Sequence, residues 1–372
     1  MNADVVVIGA GTVGAAIAYG LASRGVRVIL LDGHDRDFRA ATANFGLIWQ
    51  QGKGIDLPAY QRWTRGSVKA WHAFADELFD ITGIDLQYEA NGGLMLCLGE
   101  AEFEQRRAVQ SRLLSQLPGE DPEWTMLDRA GVEEQVPGVR FGPEVTGAGF
   151  GFRDGHANPL RLLAALRAAI VRRGGTLRAG SPVHTIRSQG EGHVVGFGDE
   201  WISCARIVIA AGLGTAALAS QVGLDIPIRP QRGQILVTER VQPFLRLPMS
   251  GMRQTREGSV LIGLTHEDVG LDTSITSAAT AMLSANAIRR VPALAHVKLV
   301  RQWAGLRIMT PDGYPVYAES ETYPGVFAAL CHSGITLAAA HASLLADAVA
   351  AGSLPSSLED FHQRRFDVPK AA

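Results

Sequence analysis

Val5-Val-Val-Ile8-Gly9-Ala-Gly11-Thr12-Val13-Gly14 opens the chain's first ordered unit. It continues as Ala15-Ala-Ile-Ala-Tyr-Gly-Leu-Ala-Ser-Arg24, then Gly25, then Val26-Arg-Val-Ile-Leu-Leu31-Asp32. The β-branched run Val5–Ile8 predicts a strand buried on both faces. The alanine-rich segment predicts a helix closed by Gly25. The next apolar run predicts a second strand ending at Asp32. A strand, a Gly-x-Gly-x-x-Gly turn, a helix and a strand ending in an acid make a dinucleotide-binding β–α–β unit. Gly9 permits the tight turn, and Gly11 lets backbone N–H groups approach a pyrophosphate. Gly14 lets the helix pack closely on the strand. Thr12 and Val13 complete the turn at a helix N-terminus, whose partial positive charge favours phosphate. Asp32, eighteen residues after Gly14 and followed by Gly33, can accept hydrogen bonds from a ribose diol and disfavours the 2′-phosphate of NADP. The fingerprint by itself serves FAD and NAD alike.

Working outward, the next hundred residues are not the further βα units that an NAD enzyme normally places here. Residues 40–54 are rich in small residues and glycine. Residues 58–82 predict an amphipathic helix, with Tyr60, Trp63, Val68, Trp71, Phe74, Leu78 and Phe79 at roughly helical spacing. Residues 86–98 alternate like strands around Gly92-Gly93. The α/β character then returns. Leu160 to Arg173 predicts a helix with Pro159 near its start, ended by Gly174-Gly175. A strand follows, then Val183 to Ile186. Ala205 to Ala211 predicts a buried strand running into a turn at Gly212. Gly325 to Thr336 predicts a strand and a glycine turn entering the last long helix.

Composition bounds the function. At 372 residues, the prior is two or three domains or one large α/β unit with insertions. Hydrophobic residues at 47% and charged residues at 19% exclude a disordered chain. Thirty-five basic residues against 37 acidic, a net charge of −2, leave no basic footprint for nucleic acid. Cys97, Cys204 and Cys331 lie far apart, which argues against a disulfide framework, a zinc ribbon, an iron–sulfur site or any metal centre. Isolated reduced thiols point to the cytoplasm. Asp4, directly before the first apolar run, suits a strand better than a signal peptide. The apolar stretch from Val326 to Ala351 is interrupted by His332, Ser333, Thr336, His341, Ser343 and Asp347, so no membrane span is expected. The 42 glycines exceed the usual ~7% and concentrate at a few turns.

Four motifs in order carry a family resemblance: the N-terminal fingerprint; Ile209-Ala-Ala-Gly212; Trp303-Ala-Gly-Leu-Arg307 with Thr310-Pro-Asp-Gly313; and Ser333-Gly334-Ile335-Thr336. Together they resemble the FAD-dependent D-amino-acid oxidase and glycine oxidase superfamily over essentially the whole chain. Asn44-Phe-Gly-Leu-Ile-Trp-Gln-Gln-Gly-Lys53-Gly and Arg232-Gly-Gln-Ile-Leu-Val-Thr-Glu-Arg240 look like the β subunits of octopine and nopaline (opine) oxidases. They are also similar to the β subunits of D-hydroxyproline and proline dehydrogenase complexes, and a component of hydrogen cyanide synthase is a further relative. The resemblance implies an α/β fold with a discontinuous, Rossmann-like FAD-binding domain of glutathione-reductase type. Residues 1–50, 150–220 and 305–372 would form it. Residues 51–149 and 221–304 would form an α+β substrate domain, with an antiparallel sheet over the flavin.

The implied activity is oxidation of a secondary amine or amino acid. Hydride leaves the α-carbon for flavin N5, and the imine hydrolyses. Arg307 would pair with the substrate carboxylate, since guanidinium offers a permanently charged bidentate fork; the alternative is an interdomain salt bridge. Ala43, Asn44, Phe45, Gly46 and Leu47 would lie along the flavin. Many relatives have a Ser-Ala-Gly-Gly type sequence there, and the departure at Asn44-Phe45-Gly46 fits the opine-oxidase-like subset. Val183 would offer backbone contact to adenine. Ala211, Gly212, Gly334, Ile335 and Thr336 would approach the cofactor, and Ser333 would hydrogen-bond flavin or cap the helix starting near Gly334. Trp49, Gln51 and Lys53 face the active site or pack within their loop; both readings stand. Adjacent His332 and Ser333 lack a third orienting group and do not read as a base–nucleophile pair. Covalent relatives attach flavin through a cysteine where this chain has Gly305, so FAD is expected to be non-covalent.

Implied partners are a pyridine-nucleotide-type α subunit and a small [2Fe–2S] protein, with an FMN between subunits as in some relatives. With so few cysteines, any electron relay past FAD would belong to another chain. The competing readings are a stand-alone glycine- or sarcosine-type oxidase using oxygen, a non-catalytic electron-relay flavoprotein and, more distantly, an NAD dehydrogenase.

Overall fold

A computed structural model describes residues 2–33 and 40–367. The predicted first strand runs Asn2–Ile8 and lies inside an eight-stranded sheet. Its neighbours are Val28–Leu31 and Glu200–Ile209, both parallel to it. Val326–Leu330 and Thr176–Arg178 extend the parallel part on either side. Successive side chains of a strand point to opposite faces, and the first strand fills two cores accordingly. Val5 and Val7 pack with Ile17, Leu21, Trp71 and Leu166 on one face. Val6 and Ile8 pack with Val195, Ile207 and Ile209 on the other. This double burial is why the strand reads as an unbroken apolar run.

The helix Thr12–Ser23 is buried along most of its length and ends before Gly25, whose φ of 74° suits glycine. The long helix Pro58–Thr82 begins on proline and stops at left-handed Gly83. Its inner face does more than fill the core. Trp71 Nε1 donates to the carbonyls of Ile335 and Thr336, and Ser67 Oγ donates to Thr336 O. This helix therefore fixes the segment that follows the last parallel strand. The helix Pro159–Arg172 is capped by Asn158, whose side chain accepts from the N–H groups of Leu160 and Arg161.

Besides the two-stranded pair of Leu47–Ile48 with Gly155–His156, two larger antiparallel sheets complete the α/β plus antiparallel architecture. One has the order Met252–Gln254, Ser259–Gly263, Arg229–Arg240, Leu299–Met309. The other has the order Gly93–Leu98, Val145–Gly151, Trp124–Asp128. Leu94 joins them, donating to Pro248 O at 3.0 Å and accepting from Ser250 N at 2.9 Å. A shared core of Leu94, Leu96, Ala148, Leu236, Met249 and Ile262 lies between them.

Two expectations need correction. Residues 86–92 form no regular strand; the strand starts at Gly93, and only Glu89 bridges to His156. Positive φ at Gln87 (52°) and Gly92 (109°) breaks the extended run that the alternation suggested. The last helix does not start near Gly334. Turns occupy residues 334–337, and the helix begins at Ala338 and passes through a π segment, His341–Leu345.

Candidate functional site

Four parallel strands end side by side, at Ile8, Leu31, Ile209 and Leu330, and each runs straight into the wall of one cavity of about 950 Å³. Ligands of open α/β sheets bind at such carboxyl ends. The wall includes Gly9, Gly11, Thr12 and Val13 after the first strand, and Asp32 and Gly33 after the second. Ala211 and Gly212 follow the third, and Ser333, Gly334, Ile335 and Thr336 the fourth. Val183 lines it from the neighbouring hairpin. Ala43, Asn44, Phe45, Leu47, Trp49 and Lys53 come from the segment after the first β–α–β unit. Gly305 and Arg307 come from the antiparallel sheet.

Three predicted residues do not reach the wall. A Cβ at Gly14 would overlap the Gly9 carbonyl oxygen, so Gly14 serves helix–strand packing. A Cβ at Gly46 would overlap Ala157 O, and the φ of 94° there excludes most side chains. Gln51 turns away from the cavity, donating to Gly93 O at 3.0 Å and to Asp154 Oδ2 at 2.8 Å. Between the two readings of residues 49–53, Gln51 packs within the loop while Trp49 and Lys53 face the cavity.

The dinucleotide end suits FAD. Gly11 is extended at φ −71°, and a Cβ there would meet nothing nearer than Ala41 Cβ at 3.8 Å. The space above this turn is open, as a pyrophosphate requires. Thr12 Oγ1 is a buried hydroxyl with no hydrogen-bond partner among the described residues. Asp32 Oδ1 accepts from Ala10 N at 3.1 Å, which ties the second strand to the glycine turn. Arg167 also lines the wall, and sequence reasoning missed it. Its Nη2 donates to Ala10 O at 2.9 Å and to Asp32 Oδ2 at 3.2 Å. Nothing distinguishes it by sequence from the other arginines of its helix.

The antiparallel-sheet side of the cavity holds Arg307. Its Nη1 donates to Thr265 O at 2.9 Å, while Nη2 is buried without a partner. No acid pairs with this guanidinium among the described residues. Burial is the one cause pulling its pKa below the ordinary arginine value. Arg307 stands opposite Gln231, two residues from the Gly233–Gly305 pair. A Cβ at Gly233 would lie 2.6 Å from Arg307 Nη2, so the glycine makes room for the fork. At Gly305 a Cβ would meet Ala43 Cβ at 2.5 Å, and Trp303 Nε1 donates to Ala43 O at 3.2 Å. These contacts clamp the antiparallel sheet onto the loop that would flank the flavin.

Ser333 is not a helix cap. Its hydroxyl accepts from Lys53 Nζ at 2.9 Å and from Tyr60 OH at 3.0 Å, and lies 3.1 Å from His332 Nε2. Tyr60 read only as part of an apolar helix face. Trp49 N donates to Thr336 Oγ1 at 3.1 Å, so the loop and the last parallel strand's exit are bonded directly. Among the described residues, no cluster of His, Cys, Asp and Glu could hold a metal, and no helix is long and apolar enough to cross a membrane.

The family model of DAO, FAD dependent oxidoreductase, matches residues 4–348. The B subunit of opine oxidase from Agrobacterium tumefaciens is 42% identical over 368 residues, spanning 99% of this chain and 99% of that protein. The crystal structure of glycine oxidase from Geobacillus kaustophilus superposes with a TM-score of 0.87 at 27% identity, covering 98% of this chain and 99% of the other. L-proline dehydrogenase from P. horikoshii shares the fold, with a TM-score of 0.83 at 22% identity and 98% of each chain covered. The cavity at the strand ends, the open glycine turn and these matches agree, and the chain belongs to the DAO family of FAD-dependent oxidoreductases.

Proposed function

We propose that this FAD-dependent oxidoreductase oxidises a carboxylate-bearing secondary amine of the opine or imino-acid type, as the catalytic subunit of a heteromeric dehydrogenase. The observation that carries this reading is Arg307, a guanidinium on the cavity wall that no acid neutralises among the described residues. A buried unpaired charge is costly, and a substrate carboxylate would relieve it with a bidentate pair. The relationship to the opine oxidase B subunit supports both the substrate class and a multi-subunit assembly.

FAD, when bound, supplies the acceptor for the hydride that leaves the substrate's α-carbon. The chain's residues bind and orient. Gly9, Gly11, Thr12 and Val13 would hold the pyrophosphate, and Asp32 with Gly33 the ribose. Val183 would contact adenine, and Ala43, Asn44, Phe45, Leu47, Ala211, Gly212, Gly305 and Ser333 to Thr336 would surround the remainder. Arg307 would fix the substrate carboxylate, so that one face of the α-carbon is held toward the cofactor. Ile235, Leu264 and Trp49 line the same cavity and would exclude water. The imine product would be hydrolysed after release.

The cofactor should be non-covalent, because Gly305 offers no nucleophile where covalent relatives have cysteine. Acid precipitation should leave a yellow supernatant; flavin retained in the pellet would contradict this. An α subunit, a [2Fe–2S] subunit and an interfacial FMN belong to the same proposal. It is tested by reduction of bound FAD by such amines without oxygen, followed by reoxidation with and without a partner subunit. Full turnover by the isolated chain with peroxide release would favour the stand-alone oxidase, a reading that the likeness to glycine oxidase supports.

A further inference from the structure

A cationic side chain on the cavity wall has a place in the reaction that carboxylate binding does not use. Lys53 Nζ is held by two acceptors, Ser333 Oγ at 2.9 Å and His332 Nε2 at 3.1 Å. Tyr60 OH donates to the same Ser333 oxygen at 3.0 Å, and Ser333 Oγ lies 3.1 Å from His332 Nε2. Lys53 Nζ, as an ammonium, can only donate to that ring nitrogen. This leaves Nε2 as the ring's acceptor, with Lys53, Tyr60 and Ser333 as donors. A lysine nitrogen has four vertices. Its carbon stem, Ser333 and His332 take three, and no described residue takes the fourth. In either protonation state the first three contacts persist. What changes is whether the fourth vertex carries a proton or a lone pair.

We propose that Lys53 is the base that removes the proton from the substrate ammonium, with Ser333 and His332 holding it in place. This rests on the amine-oxidation reading. A secondary amine of an amino acid reaches the protein mostly protonated, since alkyl ammonium groups titrate near ~10. The nitrogen lone pair must be freed before the α-carbon can release its hydrogen with both electrons. The substrate N–H bond breaks and a Lys53 Nζ–H bond forms. Then the α C–H pair leaves for FAD, the substrate becomes a C=N iminium, and the cofactor is reduced by two electrons. The proton on Lys53 returns to solvent once the product has left the cavity.

The surroundings favour the exchange. Burial, with the Arg307 charge adding to it, brings the Lys53 ammonium down to about 8. Asp154 and Cys331 act in the opposite direction. Asp154 is itself pushed up to about 7, first by burial, and the Cys331 thiol to about 12. Burial, then Lys53 and Arg307, hold His332 well below the ordinary histidine value. Burial raises the Tyr60 phenol. The result is a lysine tuned toward the range where general bases work near neutral pH.

The test uses the FAD-loaded chain, wild type and Lys53→Met. N-methyl-α-aminoisobutyrate lacks an α-hydrogen and serves as a ligand that the proposed α-carbon oxidation cannot consume. Calorimetry in buffers of different ionisation enthalpy counts the protons released on binding at about pH 9. Wild type should release close to none, because the ligand's proton moves to Lys53; Lys53→Met should release about one. In parallel, anaerobic flavin reduction by an oxidisable amine should fall roughly 100-fold in Lys53→Met at neutral pH. That gap should close to within about threefold near pH ~10, where about half of the substrate is already neutral. Lys53→Cys alkylated with 2-bromoethylamine should recover both behaviours, with wild type treated alike as the control for Cys97, Cys204 and Cys331. Equal proton counts in wild type and variant, or a rate loss that is the same at every pH, would overturn the proposal. If no amine reduces the wild-type flavin at any pH, the amine-oxidation reading fails instead, and this role with it.

Discussion

Replacing Arg307 with methionine should lower kcat/KM for a carboxylate-bearing amine by about 10³-fold, within the range for truncating one partner of a buried, hydrogen-bonded charge pair. Methionine keeps much of the stem's volume and removes the charge. The strand that carries it should hold, since residues 299–309 pair along their length with residues 229–238. FAD should stay bound at the wild-type ratio, because the hydrogen bonds of Arg307 go to Thr265 O and Arg232 O and none goes to the glycine turn. Lysine at 307 should recover only part of the loss, since a point charge cannot reproduce the bidentate fork. The control is an amine of the same shape without a carboxylate. It should be a poor substrate for both proteins, so the preference for the carboxylated compound collapses in the variant. A loss below tenfold would sink the assignment, as would an equal loss on the decarboxylated amine.

Valine at position 11 and valine at position 14 should fail in different ways, although both glycines belong to one fingerprint. At Gly14 a Cβ would overlap the Gly9 carbonyl oxygen and crowd Ala210 Cβ at 3.2 Å. The helix Thr12–Ser23 could not then dock on its strand, and Gly14→Val should give insoluble or unfolded protein. Position 11 is different. Its backbone, at φ −71°, is open to any residue, and its Cβ would project into free space beside Ala41. The Gly11→Val apoprotein should therefore fold, with a Tm within a few degrees of wild type, roughly the effect of a sub-kcal/mol change. It should nonetheless lose at least ~100-fold in FAD affinity, because the side chain occupies the space of the pyrophosphate. Flavin-to-protein ratios and apoprotein melting curves read the two effects separately. A Gly11→Val protein isolated with one FAD per chain would contradict the placement of the phosphates.

Much of the fold was legible because its signals are local. The first β–α–β unit follows from a β-branched run, three glycines at fixed spacing and an acid, none of which needs a distant partner. The helix Pro58–Thr82 was legible from its apolar period and runs as expected. Residues 86–92 mislead, because alternation cannot reveal that Gln87 and Gly92 adopt positive φ. The strand Leu299–Met309 carries no local signal in its last residues, which are neither uniformly buried nor alternating.

At the site, residues inherited from motifs were mostly placed on the cavity, whereas residues acting through tertiary contact were invisible. Arg167 gains its position from a helix packed beside Asp32. Tyr60 belongs to a core-facing stripe, and only its hydroxyl reaches Ser333. Asp154 has no motif at all. Its carboxylate accepts from Gln50 N at 2.7 Å as well as from Gln51, and so sets the loop that presents Trp49 and Lys53. Adjacent His332 and Ser333 looked inert for want of a third group. That group, Lys53, lies about 280 residues away in sequence and is supplied by the fold.

The most direct measurement is anaerobic mixing of the FAD-loaded chain with N-carboxyalkyl amino acids, cyclic imino acids and D-amino acids, following the flavin band near ~450 nm. The account predicts bleaching by at least one carboxylate-bearing secondary amine, with one imine-derived carbonyl product formed per flavin reduced. A flavin that dithionite bleaches, but that every such amine leaves fully oxidised, would contradict it.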